Sequence, residues 1–336
     1  MRTLRRTLSA AAAATVLSVS MLPAPAAASG GAASGGLHAV DLGTLTGTCC
    51  SIASDINDQG IVVGASQVGT GENPPERAFR WRSGTMTDLG TLGGPSASAQ
   101  AVNNNGWIVG YSMLADGVTT HAFLWRPGQG MTDLGSLGAD SVAVDVNDSG
   151  VVVGYYVDDA QLHGFRWANG VLAEITTTSG LPFVPSGINR YGMVSGTAED
   201  QPATWKAGAV RLYGLTGAEG TAVNDGGDVA AVTGAPYYVP FVWRASDMNE
   251  PLFTPAGTLS AGTTDINEAR HVVGWRQDAA GVRAVFWSPT GTPHLLPGLV
   301  PGAQSRAYAV NKYGQAVGQG NLSTTTGEYH AVLWTH

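Results

Sequence analysis

The chain has 336 residues, of which only 12% are charged while 47 are glycine, and its formal net charge is −8. Low charge with abundant glycine suits short strands joined by tight turns and disfavours exposed helices, which need Glu, Lys and Ala on their solvent faces. An acidic surface repels phosphate backbones and anionic lipid, which excludes nucleic acid and membrane insertion from the expected partners.

Residues 1–28 read as a secretory signal peptide. Arg2, Arg5 and Arg6 precede an apolar run, and small residues follow with A-x-A cleavage options after Ala26 or Ala28. Arg5-Arg6-Thr7-Leu8 partly matches a twin-arginine signal, but Ser9 stands where a second apolar residue belongs, so both export routes stay open. No segment has the ~18 consecutive apolar residues of a membrane span. Cleavage removes three arginines and leaves 14 basic against 25 acidic residues, a net charge of about −11. The mature protein is expected to be secreted, extracellular or attached to the cell envelope. Residues 29–36, "SGGAASGG", read as a flexible linker.

"LHAVDLGTLTG", residues 37–47, is the tail of a repeat whose body comes later, since "GTMTDLGTLGG" and "GMTDLGSLGA" each follow a segment ending in Trp. Cys49 and Cys50 come next and are the two cysteines of the chain. Adjacent thiols cannot staple distant parts of one chain, and without neighbouring His or Asp they make no zinc site. A vicinal disulfide and an exposed thiol pair are both compatible with this arrangement.

The repeat then runs to the C-terminus. Asn-x-x-Gly turns recur at Asn57, Asn103, Asn147, Asn189, Asn224, Asn267 and Asn311, with spacings of 46, 44, 42, 35, 43 and 44. Apolar runs ending in Trp81, Trp125, Trp167, Trp205, Trp243, Trp287 and Trp334 interleave with them. Seven units follow, each with four predicted strands: one into the Asn (A), one after its turn (B), one carrying the Trp (C) and the DLG segment or its variants (D). Trp334 is followed by just two residues, so the seventh strand D is absent at the C-terminus and present at residues 37–47. The prediction is an all-β, seven-bladed propeller of four-stranded antiparallel blades over residues 37–336, closed when the N-terminal strand completes the last blade.

In each turn the Asn side chain is expected to bond backbone two residues on, and the Gly to adopt the left-handed conformation. Unit six has Arg270 in the Gly place, so a distorted or longer turn is expected there. The Gly seven residues after the Asn (Gly64, Gly110, Gly154, Gly196, Gly274, Gly318; Ala231 in unit five) is expected to let neighbouring blades approach closely. Each Trp is expected to lie against a neighbouring blade with its indole N–H reaching a carbonyl. Markers that recur in every unit specify the fold and say little about function.

The tripeptide His121-Ala122-Phe123, with the variants Arg77-Ala78-Phe79, His163-Gly164-Phe165 and His330-Ala331-Val332, resembles the bacterial extracellular HAF-repeat family, as do "DLGTLGG" and "AVNNNGWIVGYS". The match spans all seven units and weakens in units four and five, where "PATW" and "PFVW" replace the motif. The resemblance implies an exported repeat protein and brings no catalytic residues with it. The WD and paired-Gly signatures of other propellers are absent from the sequence.

The A-to-B and C-to-D connections are short, whereas the B-to-C connections, such as "SQVGTGENPPE", "SMLADGVTT", "TGAPYYV" and "QGNLSTTTGE", are long and dissimilar. The working face is therefore placed at the B-to-C end. Ligand-binding candidates there are Tyr111, Tyr155, Tyr156, Tyr237, Tyr238, Trp275, Arg276, Asp278 and Tyr329, aromatic faces beside polar groups that suit a glycan or a protein partner. The competing reading is that Tyr111, Tyr155 and Trp275 merely cap the blade core. Asp55, Asp145 and Asp265 precede their Asn by two residues in the innermost strand, where they could hold calcium or, alternatively, accept backbone N–H bonds between blades. His121, His163 and His330 stand in different blades and read as structural. No catalytic motif is present, so the function expected is a secreted, non-catalytic binding module. The alternatives are an extracellular glycan hydrolase or lyase over the central channel, whose carboxylates would come from different blades, and a structural component of the envelope.

Overall fold

The computed structural model describes residues 37–335 apart from 48, 72, 178, 179, 181, 235–237, 247, 248 and 326. The signal peptide, the linker and Tyr237 lie outside the described residues. Seven four-stranded antiparallel sheets form a β-propeller. Blade 1 runs Ser51–Ile56, Val62–Gln67, Glu76–Arg82 and Thr85–Asp88, and blades 2 to 6 repeat this order. Blade 7 runs Ser305–Val310, Ala316–Asn321 and Tyr329–Thr335, and its outer strand is His38–Asp41. Ala39 pairs with Trp334 and Val40 with Leu333. The predicted strand exchange is therefore the closure of the ring.

The asparagines do more than shape their turns. In blade 1 the Asn57 Oδ1 accepts the amides of Gln59 and Ile61, each at 3.0 Å, while its Nδ2 donates to the Asn103 carbonyl of blade 2 at 2.9 Å. The same side-chain-to-carbonyl bond links Asn103 to Asn147 (2.9 Å), Asn147 to Asn189 (3.2 Å), Asn189 to Asn224 (3.0 Å), Asn224 to Asn267 (3.3 Å) and Asn267 to Asn311 (2.8 Å). Asn311 then donates to the Asn57 carbonyl at 3.2 Å, which closes a circle of seven bonds. All seven residues are buried, so an unmade bond would leave a polar group without water.

The turn glycines take positive φ, as at Gly60 (71°) and Gly150 (77°). Arg270 corrects the expectation for unit six: it adopts φ 64° and its amide donates to the Asn267 carbonyl at 3.0 Å, the same bond that Gly60 makes to Asn57 at 3.1 Å. The turn is kept and the side chain bears the left-handed conformation, while its guanidinium pairs with buried Asp228 at 2.9 Å. The second glycine also differs from expectation. A Cβ on Gly64 would lie 1.9 Å from the Ile52 carbonyl oxygen, and one on Gly154 would lie 2.1 Å from that of Val142. The close approach is thus to strand A of the same blade, where every blade has a register shift, as between Ala53 and Asp55. Such a β-bulge turns two successive side chains to one side.

The HAF tripeptide has a physical reading. His121 Nδ1 and His330 Nδ1 contact the DLG carboxylates Asp133 (2.9 Å) and Asp41 (2.8 Å) of the adjoining strand D, and Arg77 does the same to Asp88 at 3.0 Å. The Ala is fully buried, and its amide donates to a serine of the next blade: Ala122 to Ser141 at 2.9 Å and Ala331 to Ser51 at 2.8 Å. The Phe fills the blade interior, Phe79, Phe123 and Phe165 being fully buried. The Trp side chains join apolar clusters that span two successive blades, Trp287 with blades 5 and 6 and Trp334 with blades 6 and 7. Trp287 and Trp334 donate to the Phe253 and Pro297 carbonyls of the preceding blade, each at 2.7 Å. The Trp205 indole N–H, in contrast, is buried without a partner, so the expected bond is not general.

Replacing Asn103 by Ala should lower stability by about 2–4 kcal/mol in urea denaturation, because three bonds vanish and the amides of Asn105 and Trp107 lose their acceptor. Asn103→Asp, which keeps the acceptors and loses the donor, should fall between wild type and Asn103→Ala. A loss below about 0.5 kcal/mol for Asn103→Ala would contradict a stabilising role for the circle.

Candidate functional site

The bulge in strand A sets the lining of the central channel. Both the bulged residue and its successor face a cavity of about 130 Å3, as with Ser54 and Asp55 in blade 1. Gln100, Ser186, Thr221, Thr264 and Tyr308 occupy the first of these places in other blades. Asp55, Asp145 and Asp265 occupy the second. Their Oδ2 atoms accept the amides of Val102 (2.7 Å), Ile188 (2.7 Å) and Val310 (2.8 Å) of the following blades. Their Oδ1 atoms accept the amides of Ile56, Val146 and Ile266 in their own blades. The backbone-accepting alternative therefore describes these carboxylates, and among the described residues no three His, Cys, Asp or Glu side chains gather as a metal site. Burial pushes Asp55 up to about 8, with the charges of Asp145 and Asp265 adding to the shift, and pushes Asp145 and Asp265 up to about 6.

At the A-to-B turn end the channel opens into a hollow of about 510 Å3. Its rim repeats with the blades: Asp58 donates its amide to Asn104 Oδ1, Asn104 to Asp148, Arg190 to Asp225 and Lys312 to Asp58. Lys312 also pairs with the Asp58 carboxylate at 3.2 Å. Most polar groups of this rim are thus used within the scaffold.

The B-to-C end is irregular, though less than the sequence suggested. Blades 3, 4 and 6 close there through two-residue hairpins, Asp159-Ala160, Glu199-Asp200 and Ala279-Ala280, whereas the adjacent blades 7, 1 and 2 carry longer loops. In the first two hairpins both residues have positive φ, the geometry that tight hairpins require. Cys49 and Cys50 are joined in a disulfide in the crossing from the borrowed strand to blade 1.

The candidate side chains do not form one surface. Tyr155 and Trp275 are buried, at 4% and 8% exposure, so the capping alternative holds for both. Tyr156 is buried as well and stacks on His163, with centroids 5.3 Å apart. Arg276 is 4% exposed and neutralised by Asp278 at 2.5 Å, and Arg283 reaches the same carboxylate at 2.8 Å. Tyr111, Tyr238 and Tyr329 remain half-buried. Burial pushes Tyr111 up to about 12, the charge of Glu76 adding to the shift, and burial and Glu76 also raise Tyr329. Tyr238 meets the Trp275 ring edge-on at 5.9 Å.

Three residues beyond the predicted set join this end. Arg306 lies over the Trp275 ring, with its Cζ 4.9 Å from the centroid. Gln319 faces Arg306 in the strand register and accepts a hydrogen bond from the Tyr308 hydroxyl at 3.0 Å. The sequence carried a signal for Arg306: a charged residue stands where the equivalent places of blades 1, 3 and 4 carry Ile52, Val142 and Val184.

No family model and no curated protein matches the chain. Among solved structures it is similar to a streptogramin B lyase, at 11% identity over 89% of this chain and 97% of that one, with a TM-score of 0.58. It is similar to virginiamycin B lyase from Staphylococcus aureus, at 11% identity over 90% and 99% of the two chains and a TM-score of 0.57. It is also similar to YCF48 bound to D1 peptide, at 17% identity over 94% and 99% and a TM-score of 0.50. At these identities the likeness is one of fold: the chain is a seven-bladed propeller.

The channel aspartates make stability depend on pH. Each folded value lies above the ordinary value of about 3.9, so the folded state holds these protons more tightly. Their contribution is complete below about pH 4 and is lost as pH rises through about 6 and then about 8. Melting temperature should fall between about pH 5 and pH 8.5. Asp55→Asn should start lower, since its NH2 faces a backbone amide, and should lose the upper part of that decline. A wild-type profile flat over this range would contradict the assignment.

Proposed function

We propose that the chain is a secreted, non-catalytic binding propeller of the HAF-repeat type, which presents its B-to-C face to a glycan or protein ligand. The observation that carries this reading is the contrast between the two ends of the channel. One end repeats a hydrogen-bonded rim around the ring, whereas the other combines unequal loops with half-buried Tyr111, Tyr238 and Tyr329 and with Arg306. Uniform features specify a scaffold and varied ones a site. Binding by a propeller of this overall shape has a precedent in YCF48, solved with a peptide. Hydrolysis or elimination over the channel is the weaker reading, because Asp55, Asp145 and Asp265 commit both oxygens to backbone amides.

A glycan array and a pull-down from bacterial surface extracts test the proposal. A ligand should be retained, and Tyr238→Ala and Tyr329→Ala should weaken it about tenfold, roughly the ~1.4 kcal/mol of one lost aromatic contact. Asn104→Ala, on the opposite rim, should leave binding unchanged. Empty results from both methods, or equal loss on the two faces, would contradict it.

A further inference from the structure

Two arginines of the described chain are at least nine-tenths buried, and they differ in one respect. Arg276, at 4% exposure, is neutralised by Asp278. Arg306, at 9% exposure, has no ion pair and no hydrogen bond to its guanidinium among the described residues. Its nitrogens are nevertheless not sealed off, since they are absent from the buried atoms that lack a partner, whereas the Arg276 Nε is among them. Burying most of a guanidinium is costly unless something compensates it, and its place over the Trp275 ring returns only part of that. Burial accordingly lowers the proton affinity of Arg306, yet an Arg side chain stays charged. An unpaired cation with open donors is built to receive an anion.

We propose that Arg306 is the anchor for the carboxylate of an acidic sugar, a uronate in a glycan bound at the B-to-C face; this rests on the binding-module reading above. The geometry favours that chemistry. A guanidinium held over a ring face by its central carbon keeps N–H donors for a further partner, and a planar carboxylate takes two of those donors at once. Tyr308 lies two residues on in the same strand and so shares the Arg306 face, and it lines the channel. The Tyr308 hydroxyl donates to Gln319 Oε1, which leaves the Gln319 NH2 as a neutral donor for ring hydroxyls. Polar neighbours of this kind match a hydroxyl-rich ligand better than an apolar peptide side chain. The net charge of the mature chain, about −11 by the count above, opposes an anion mainly beyond contact range and is screened over about 8 Å at physiological salt.

Isothermal titration of the mature protein with hexagalacturonate, its methyl ester, and a short neutral peptide with a free C-terminal carboxylate tests the assignment. Hexagalacturonate should bind, and the methyl ester should bind at least about 30-fold more weakly, as expected for one lost charge-assisted pair. Arg306→Gln should reduce hexagalacturonate binding by a similar factor, and Arg306→Lys should recover part of it. Melting temperature should stay within about 2 °C or rise in Arg306→Gln, whereas a purely structural role for the side chain would lower it. Equal binding of acid and ester, undiminished binding by Arg306→Gln, or no binding by hexagalacturonate would overturn the proposal. Binding of the peptide alone would overturn it in favour of a protein ligand and leave the binding-module reading standing. Failure of all three probes together with an empty array would remove both.

Discussion

Closure is the constraint from which the rest of this molecule follows. A four-stranded blade exposes both faces of its sheet and cannot bury them alone, so each blade is stable only between two others. The seven asparagine side chains state the same condition in hydrogen bonds. Each Oδ1 organises its own turn, and each Nδ2 needs the carbonyl of the blade ahead, so the seventh bond exists only if Asn311 meets Asn57. The unit of 35 residues between Asn189 and Asn224 makes the same bond as the longer ones. The ring geometry, not the unit length, sets the spacing between neighbouring turns.

The borrowed strand answers the same need at the outer edge. Residues 38–41 pair with the strand ending at Thr335, His330 meets Asp41, and the Ser51 hydroxyl donates to the Gly43 carbonyl while accepting the amide of Ala331. The first and last strands of the propeller are therefore joined by the DLG and HAF elements that join strands within every other typical blade. Once the scaffold is fixed in this way, the bulge in strand A delivers polar side chains to the channel, and variation is left to the B-to-C end.

The repeat made the architecture legible because a periodic interaction leaves a periodic sequence. The Asn, Trp and DLG series counted the blades, and the displaced DLG segment located the closure. Features that depend on what lies opposite were not legible. Nothing in "NEARHVVG" tells that Arg270 keeps the turn by accepting φ 64° while Asp228, forty-two residues earlier, holds its side chain. The clash that requires Gly154 comes from a bulged strand in the same blade, and a bulge has no residue signature of its own. Chain length between strands B and C was overestimated in blades 3, 4 and 6, because the strands there extend to two-residue turns. The described candidate aromatic residues lie at the B-to-C end of the ring, but whether a strand-end tyrosine faces solvent or its own blade is decided by packing. The sequence marks Arg306 as a charge at a place that is apolar in blades 1, 3 and 4, but that its guanidinium has no ion pair among the described residues is decided by packing.

The most direct measurement is thermal melting of the mature chain with and without residues 37–47, alone and with a synthetic peptide of those eleven residues added back. Closure by strand exchange predicts that the truncated chain loses its folded monomer or melts at least about 10 °C lower, and that the peptide restores much of the difference. A truncated chain that melts within about 2 °C of the intact one would contradict the account.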